Sequence, residues 1–384
     1  MQIMDTRYFT EEHEMFRKSV RDFVEKEMTP HADLWEEQQD FPNELFKKMG
    51  DLGFLGIRYP EQYGGSELDF FYTVVLCEEL ARSRAGGVAL AVMVQTDMAT
   101  PPLAIIGNHE QKEKYLAPAI KGDMVAALGI TEPDAGSDVA GLRTTAVRDG
   151  DDYVINGSKI FITNGVRADF ITLAARAGST AGHQGISLFI VPTDTPGFSV
   201  GRKLNKVGHW SSDTAELIFE DVRVPRANML GDEGRGFYEV MKNFQGERLV
   251  GSIFPIAYAQ LALDETIEYV RERKQFGRPL AAFQVTQHKI VQMAMELEAA
   301  RELAYKASWM YDQGMECTKE VSMGKAFATE VAKRVSDECL QLHGGYGYMM
   351  EYFVQRAWRD IRMYTIGGGT TEIMKEIIAK QMGF

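Results

Sequence analysis

The strongest constraint on this chain is a double change of periodicity. From Thr10 to about Gly122, apolar residues recur at helical spacing. Phe16, Val20, Phe23 and Val24 share one face, and Leu45, Phe46, Met49 and Leu52 repeat the pattern after Pro42-Asn43. From about Met124 to Gly231 the texture is that of strands, and after Gly236 helical spacing returns and continues to the end. Helices and strands therefore segregate along the chain, the pattern of an α+β multidomain protein. The expected parts are an N-terminal helical domain over 1–122, a middle β-domain over 123–232 and a C-terminal helical bundle over 233–384.

Local signals fill in this outline. Thr10 is the expected N-cap of the first helix, and Pro30 is expected to stop it. Further helices are expected over 70–82, 88–97 and 109–121. In the middle part, Asp149-Gly150 and Asn156-Gly157 read as hairpin turns between short alternating runs such as Tyr153-Val154-Ile155 and Ile160-Phe161-Ile162. Strands over 170–175, 186–191, 198–200 and 215–219 follow. Short strands with this punctuation predict an antiparallel barrel or sandwich of about a hundred residues. The C-terminal helices are expected over 237–273, 283–312, 318–342 and 351–364, with a last one from Thr371. Gly277-Arg278-Pro279 and Gly344-Gly345 break them.

Composition sets outer limits. With 384 residues, and roughly 150 residues per domain, two to three domains are expected. Three cysteines, Cys77, Cys317 and Cys339, are widely spaced and odd in number, which excludes a disulfide framework or a cysteine-based zinc site. A net charge of −13 argues against binding nucleic acid or an anionic membrane through bulk electrostatics. Residues 1–15 are acidic and lack an apolar segment, so no secretory or transit peptide is expected. The longest uncharged stretch, 249–263, is too short and polar to span a bilayer. The expectation is a soluble protein without membrane insertion, cytoplasmic, or of the mitochondrial matrix if the chain is a processed eukaryotic one.

Common catalytic signatures are absent: no Gly-x-Gly-x-x-Gly after a strand, no P-loop and no His-Glu-x-x-His. The seven histidines show no metal-ligand spacing, so no metal is expected and acid–base chemistry falls to a carboxylate. Several segments stand out nonetheless. Leu128-Gly129-Ile130 runs into Thr131-Glu132-Pro133-Asp134-Ala135-Gly136-Ser137-Asp138, where hydroxyls and small residues suit close approach to a polar planar ligand. On composition alone the favoured reading is an ordinary Asx/Ser loop. In Lys159-Ile160-Phe161-Ile162-Thr163-Asn164-Gly165, Phe161 and Thr163 share a strand face, where an aromatic beside a hydroxyl would stack on a ring and bond its edge. A plain strand ending in a turn fits it as well. Arg273-Lys274-Gln275-Phe276-Gly277 places cations at a helix C-terminus, which needs no function. Gln341-Leu342-His343-Gly344-Gly345 and Ile366-Gly367-Gly368-Gly369-Thr370-Thr371-Glu372 are glycine-rich helix ends of the kind that approach anions.

Together, and in this order, these segments resemble the acyl-CoA dehydrogenases, flavoenzymes that form a 2,3-double bond in acyl-CoA thioesters. The resemblance covers essentially the whole chain. It includes the run Gly-Phe-Leu-Gly-Ile-Arg-Tyr-Pro-Glu-Gln-Tyr-Gly-Gly over 53–65 and Ser212-Asp213-Thr214-Ala215-Glu216-Leu217. It implies the family fold: a helical domain, a middle β-domain and a C-terminal four-helix bundle. It also implies FAD as cofactor and a homotetramer with shared FAD sites. Leu128, Thr131 and Ser137 would lie along the flavin, with Ser137 also near the substrate. Phe161, in place of the usual tryptophan, would face the isoalloxazine, and Thr163 would bond near N5. Arg273, Phe276 and Gln284, with Gln341, Gly344 and Gly345, would hold the adenosine and pyrophosphate of FAD from a neighbouring subunit. Thr370 and Glu372 would close over the FAD.

The implied chemistry needs a carboxylate to take the α-proton while the β-hydrogen leaves as hydride. In short- and medium-chain members that base precedes the Gly-Thr of the glycine loop, where this chain has Gly368. Isovaleryl- and long-chain-type members carry it in a Glu-Arg-Leu context on a C-terminal helix. Gln245-Gly246-Glu247-Arg248-Leu249 matches that context and nominates Glu247. Without the resemblance Glu247 reads as a solvated helix glutamate. Gln245, Arg248 and the loop Gly367, Gly368 and Gly369 are the remaining substrate-side residues. Gln245 stands where some relatives have aspartate, and His343 where many have an apolar or aromatic residue. Glycine at 367 and 368 predicts extra room for branched, cyclic or otherwise bulky acyl groups, with long straight chains as the competing expectation. The implied electron acceptor is electron-transferring flavoprotein. An oxygen-using oxidase or monooxygenase on the same fold is the alternative function, and a non-catalytic scaffold a third.

Overall fold

A computed structural model describes residues 7–178 and 182–384. The N-terminal part stacks helices α1 (Glu11–Phe23), α2 (Ala32–Gln38), α3 (Glu44–Asp51), α4 (Phe70–Ala81), α5 (Gly86–Met93), α6 (Pro101–Ile106), α7 (His109–Gln111) and α8 (Ala117–Ile120). Thr10 does cap α1: its hydroxyl accepts from the His13 N–H while the His13 ring accepts from the Thr10 N–H. Asp69 caps α4 by accepting from the Phe71 N–H at 2.8 Å. α4 and α5 are apolar on nearly every side and sit accordingly in the core.

One expectation fails here. Pro30 does not stop the first helical run, because a π-turn over Val24–Met28 and a 3-10 turn over Thr29–His31 carry it on into α2. In the first turn of a helical segment the missing proline N–H needs no partner, so Pro30 redirects the chain instead of ending it. Gly86–Ile106, 21 residues long, is apolar enough to cross a bilayer by length and composition, yet 78% of its most apolar window is buried within the fold. It is a core element.

The middle part holds β1 (Ala126–Gly129), β2 (Thr145–Asp149), β3 (Asp152–Thr163), β4 (Phe170–Ala177), β5 (Ile186–Pro192), β6 (Phe198–Lys203), β7 (Thr214–Pro225) and β8 (Met229–Leu230). They form one sheet in the order β6-β7-β3-β2-β4-β5-β8, with β1 also on β4. Pairing is antiparallel except along β4, which β1 and β2 flank in parallel, one after the other. Hairpin turns are local signals, whereas these parallel pairings join residues some 30 to 45 positions apart, so the turn pattern reports only the antiparallel ones. Asn156-Gly157 is not a turn. β3 runs through it with Gly157 in a bulge at φ +148, where a Cβ would sit 2.5 Å from Thr144 Oγ1.

The C-terminal part comprises α9 (Gly236–Glu272), α10 (Gln284–Asp312), α11 (Thr318–His343), α12 (Phe353–Ile361) and α13 (Thr371–Gln381), with a two-residue hairpin of β9 (Lys274–Gln275) and β10 (Arg278–Pro279) between α9 and α10. α9 is central, packing on α4, α10 and α11. A buried polar seam joins the three parts. Asp360 of α12 accepts from the His209 N–H, the Glu36 carboxylate accepts from the Ser211 N–H, and α5 approaches both through Gly86 and Gly87. A Cβ on Gly87 would stand 2.5 Å from Ser211 Oγ, so only glycine allows that approach.

Candidate active site

α9 and α11 set one charged cluster against the glycine turn that precedes α13. Gly368 and Gly369 adopt φ +66 and +100, left-handed conformations in which a side chain is strained, so glycine at these two positions is a backbone requirement. Its three carbonyls face two cations. The ammonium of Lys325, on α11, donates to the carbonyl of Gly367 at 2.6 Å and to that of Gly369. The Arg248 Nε donates to the carbonyl between them, that of Gly368, at 3.4 Å. The Arg248 guanidinium also lies 5.6 Å from the Phe244 ring centre.

Glu247 completes the cluster. Its Oε1 lies only 3.0 Å from where a Cβ on Gly368 would be, and its Oε2 is buried with no hydrogen-bond partner among the described residues. Burial raises its pKa, against the opposing pull of Arg248 and Lys325. A carboxylate with one free, desolvated oxygen is equipped to take a proton from something placed beside it. Gln245 turns instead to Thr318 at the start of α11, 3.4 Å from its hydroxyl. Gly367 does not provide the room expected of it. A Cβ there would meet Met363 Sδ at 2.7 Å, so the space is already filled by the chain's own methionine.

A second face is built where β1 and the following loop meet β3. The Ile160 N–H donates to the Thr131 carbonyl at 2.9 Å. The wholly buried Lys159 donates to the Ile130 carbonyl at 2.9 Å and to Glu132 at 2.8 Å. Glu132 in turn accepts from the N–H groups of Arg143 and Thr144. This buried pair pins the loop that carries Thr131 and Ser137. Phe161 occupies a bulge at φ +62 with its ring 66% exposed. An exposed aromatic held in a strained backbone conformation beside half-buried Leu128, Thr131 and Thr163 suits a planar ligand.

The third feature is a cleft of about 490 Å³ whose lining includes Tyr269, Arg273, Gln341, Gly344, Gly345 and Tyr346. The Arg273 guanidinium lies 5.1 Å from the centre of the Tyr346 ring, and Gly344 and Gly345 have no atoms within 4 Å along their Cβ directions. A cation beside bare backbone fits a pyrophosphate, and the flanking aromatic rings fit a base. Phe276, 93% exposed, and the exposed Gln284 do not line this cleft in the single chain. Thr370 is the N-cap of α13, its hydroxyl accepting from the Ile373 N–H, and Glu372 is exposed in the first turn. The flat face and the cleft together have the donor chemistry that the two halves of FAD require.

Sequence reading missed Lys325 and the Lys159–Glu132 pair. Lys325 had a usable signal: with Val321, Ala328 and Ala332 it falls on the apolar stripe of α11, where an ammonium needs a reason.

Comparison with known proteins covers nearly the whole length. Models of the N-terminal, middle and C-terminal domains of acyl-CoA dehydrogenase match residues 10–123, 127–222 and 234–383. The chain is 42% identical to the caffeyl-CoA reductase-Etf complex subunit CarC of Acetobacterium woodii, over 97% of this chain and 98% of that one. It is 40% identical to the mitochondrial long-chain specific acyl-CoA dehydrogenase of Mus musculus, over 98% of this chain and 87% of that one. The crystal structure of an acyl-CoA dehydrogenase from Geobacillus kaustophilus has 45% identity and a TM-score of 0.96, covering 98% of this chain and all of the other.

Proposed function

The chain belongs to the acyl-CoA dehydrogenase family, and on that premise we propose that it converts an acyl-CoA thioester to the 2-enoyl-CoA with Glu247 as the base. It is an FAD-dependent oxidoreductase by family, and bound FAD supplies the acceptor for the hydride that leaves the β-carbon. The observation that carries the assignment of the base is the position of Glu247: one oxygen beside the space that a Gly368 side chain would fill, the other buried and without a partner among the described residues.

The residues of the chain account for the rest of the chemistry. Burial makes Glu247 a stronger base than an exposed glutamate, while Arg248 and Lys325 pull in the opposite direction and favour its ionised form. The thioester α-carbon is a weak acid, so its carbonyl needs fixed donors. Leu128, Thr131, Ser137, Phe161 and Thr163 would hold the flavin ring of one FAD, and Arg273, Phe276, Gln284, Gln341, Gly344 and Gly345 the pyrophosphate and adenosine of the FAD in a neighbouring subunit. The proposed assembly is a homotetramer, and the 93% exposure of Phe276 supports a partner there.

For substrate, we favour branched, bulky or long acyl groups. Support comes from the helix-borne glutamate and from the long-chain specific relative, and no longer from Gly367. The name of the Acetobacterium relative, an Etf complex subunit, supports electron-transferring flavoprotein as acceptor. The test is anaerobic addition of acyl-CoA thioesters while the flavin band is followed. Glu247→Gln should keep FAD and bind thioester, yet slow bleaching by about 10²–10⁴-fold. Parent-like bleaching in that variant would remove Glu247 from the mechanism.

A further inference from the structure

Lys325 is 2% exposed, on the stripe of α11 that otherwise carries Val321, Ala328 and Ala332. An ammonium in such a place is costly unless its donors are used. Among the described residues no carboxylate comes within 4 Å of it, so it is not half of a buried ion pair. Its donors go to backbone carbonyls of two alternate residues in one turn, Gly367 and Gly369, while Arg248 takes the carbonyl of Gly368. Two cations from two helices thus hold three successive peptide groups that have no side chains of their own to anchor them.

The grip has a geometric consequence. In a trans peptide the carbonyl and the next residue's N–H point in opposite directions. Drawing the carbonyls of 367 and 369 toward α11 turns the N–H groups of Gly368 and Thr370 away from it. Neither N–H, nor that of Gly369, donates to an acceptor among the described residues. Gly368 is also the residue whose missing Cβ leaves the space beside Glu247 Oε1, which lies 3.0 Å from where that Cβ would stand. We propose that Lys325 is a positioning residue for the dehydrogenation: it fixes the triple-glycine turn, and through that turn seats the Glu247 carboxylate and aims the free loop N–H groups at the thioester.

The proposal rests on Glu247 being the base, and it predicts more than loss of stability. Among the described residues, the charged groups that act on Glu247 are Arg248 from its own helix and Lys325 from α11, and the glycine turn contributes none. Burial holds Lys325 down to about 8, with Glu247 opposing that fall and Arg248 reinforcing it. Replacing it with a neutral side chain therefore removes one of two cations that favour the ionised base.

The experiment uses the FAD-loaded enzyme and three variants, Lys325→Met, Lys325→Gln and Lys325→Arg. Single-turnover anaerobic flavin reduction by octanoyl-CoA and by isovaleryl-CoA is measured across pH, alongside thioester affinity and flavin content. Lys325→Met should slow reduction by about 10–100-fold, with affinity changed by less than about threefold, and shift the midpoint of the base upward by about one pH unit. Lys325→Gln, which keeps a donor, should recover part of the rate but share the shifted midpoint. Lys325→Arg should restore the midpoint. A lysine that serves stability alone would lower flavin content or melting temperature and leave the midpoint where it was. Native rate and midpoint in both neutral variants overturn the proposal. Should Lys325→Met fail to fold, the Gln and Arg variants decide: equal midpoints overturn it, separated midpoints support it. Glu247→Gln run in parallel separates the two failures, since normal reduction there removes the base itself.

Discussion

The buried Lys159–Glu132 pair offers the sharpest test of how the fold supports the flavin face. Lys159→Met deletes the bonds to the Ile130 carbonyl at 2.9 Å and to Glu132 at 2.8 Å. It leaves a carboxylate 6% exposed that retains two backbone donors, the N–H groups of Arg143 and Thr144. Breaking a buried pair from one side costs about 3–5 kcal/mol, and the two remaining donors place this case near the low end, at about 3 kcal/mol. Glu132→Gln strands the ammonium instead. Burial already brings Lys159 to about 8, so it sheds its proton more readily and the cost is somewhat smaller, about 2 kcal/mol. The double variant removes both charges and should be milder than the sum by about 1–3 kcal/mol. Melting of the FAD-loaded enzyme, followed in parallel by flavin and by tryptophan fluorescence, reads this out. At about 2–4 °C per kcal/mol, Lys159→Met should release flavin about 6–12 °C early. Parent-like flavin release in Lys159→Met, or strictly additive losses in the double variant, would refute the reasoning.

Three further outcomes are expected. His209 is buried, with neither ring nitrogen paired among the described residues, near Lys206, Glu36 and Asp360, and burial lowers its pKa to about 4. Because the unfolded chain binds that proton first, the stability His209 contributes at neutral pH is lost as pH falls from about 6.5 to 4, by about 3 kcal/mol. Melting curves from pH 7 to 4.5 should therefore fall more steeply for the parent than for His209→Gln, and parallel curves would contradict this. Gly87→Ala should cost about 1–3 kcal/mol by forcing a methyl onto Ser211 and the Ser212 N–H, whereas Gly136→Ala, with nothing within 4 Å, should leave the melting temperature unchanged. Glu247→Gly combined with Gly368→Glu should recover some flavin reduction over Glu247→Gly alone. The recovery should be partial, because φ +66 at 368 strains any side chain by about 1–3 kcal/mol.

The order of the parts was legible because periodicity is a local property that burial imposes on each element. α4, α9, α10 and α11 begin and end within two residues of their expected bounds, where Asp69 caps, glycines break or the apolar stripe stops. What local pattern does not encode is pairing between distant segments. That β1 and β2 follow one another along β4 depends on residues some 30 to 45 positions apart. Gly157 illustrates the same limit: Asn-Gly usually turns a chain, and only the close approach of Thr144 shows that this glycine instead makes a bulge. Pro30 likewise reads as a stop until the next helix is seen to start within a turn of it.

The site divides along a similar line. Glu247 was legible through its Glu-Arg-Leu context, and Gly368 through the missing loop carboxylate, but 121 positions separate them in the sequence. In the fold, Glu247 Oε1 occupies the space immediately beyond a Gly368 Cβ. A base on the helix and a base on the loop would thus deliver a carboxylate to nearly the same point from opposite sides. The reaction constrains where the carboxylate is, not which backbone carries it. The same argument explains why Gly367 misled. Its lack of a side chain, taken alone, reads as space, yet its Cβ direction runs into Met363 while that of Gly368 runs toward the base. Two adjacent glycines therefore answer different demands. Gly367 yields to packing within the turn, and Gly368 leaves room for a glutamate that arrives from α9.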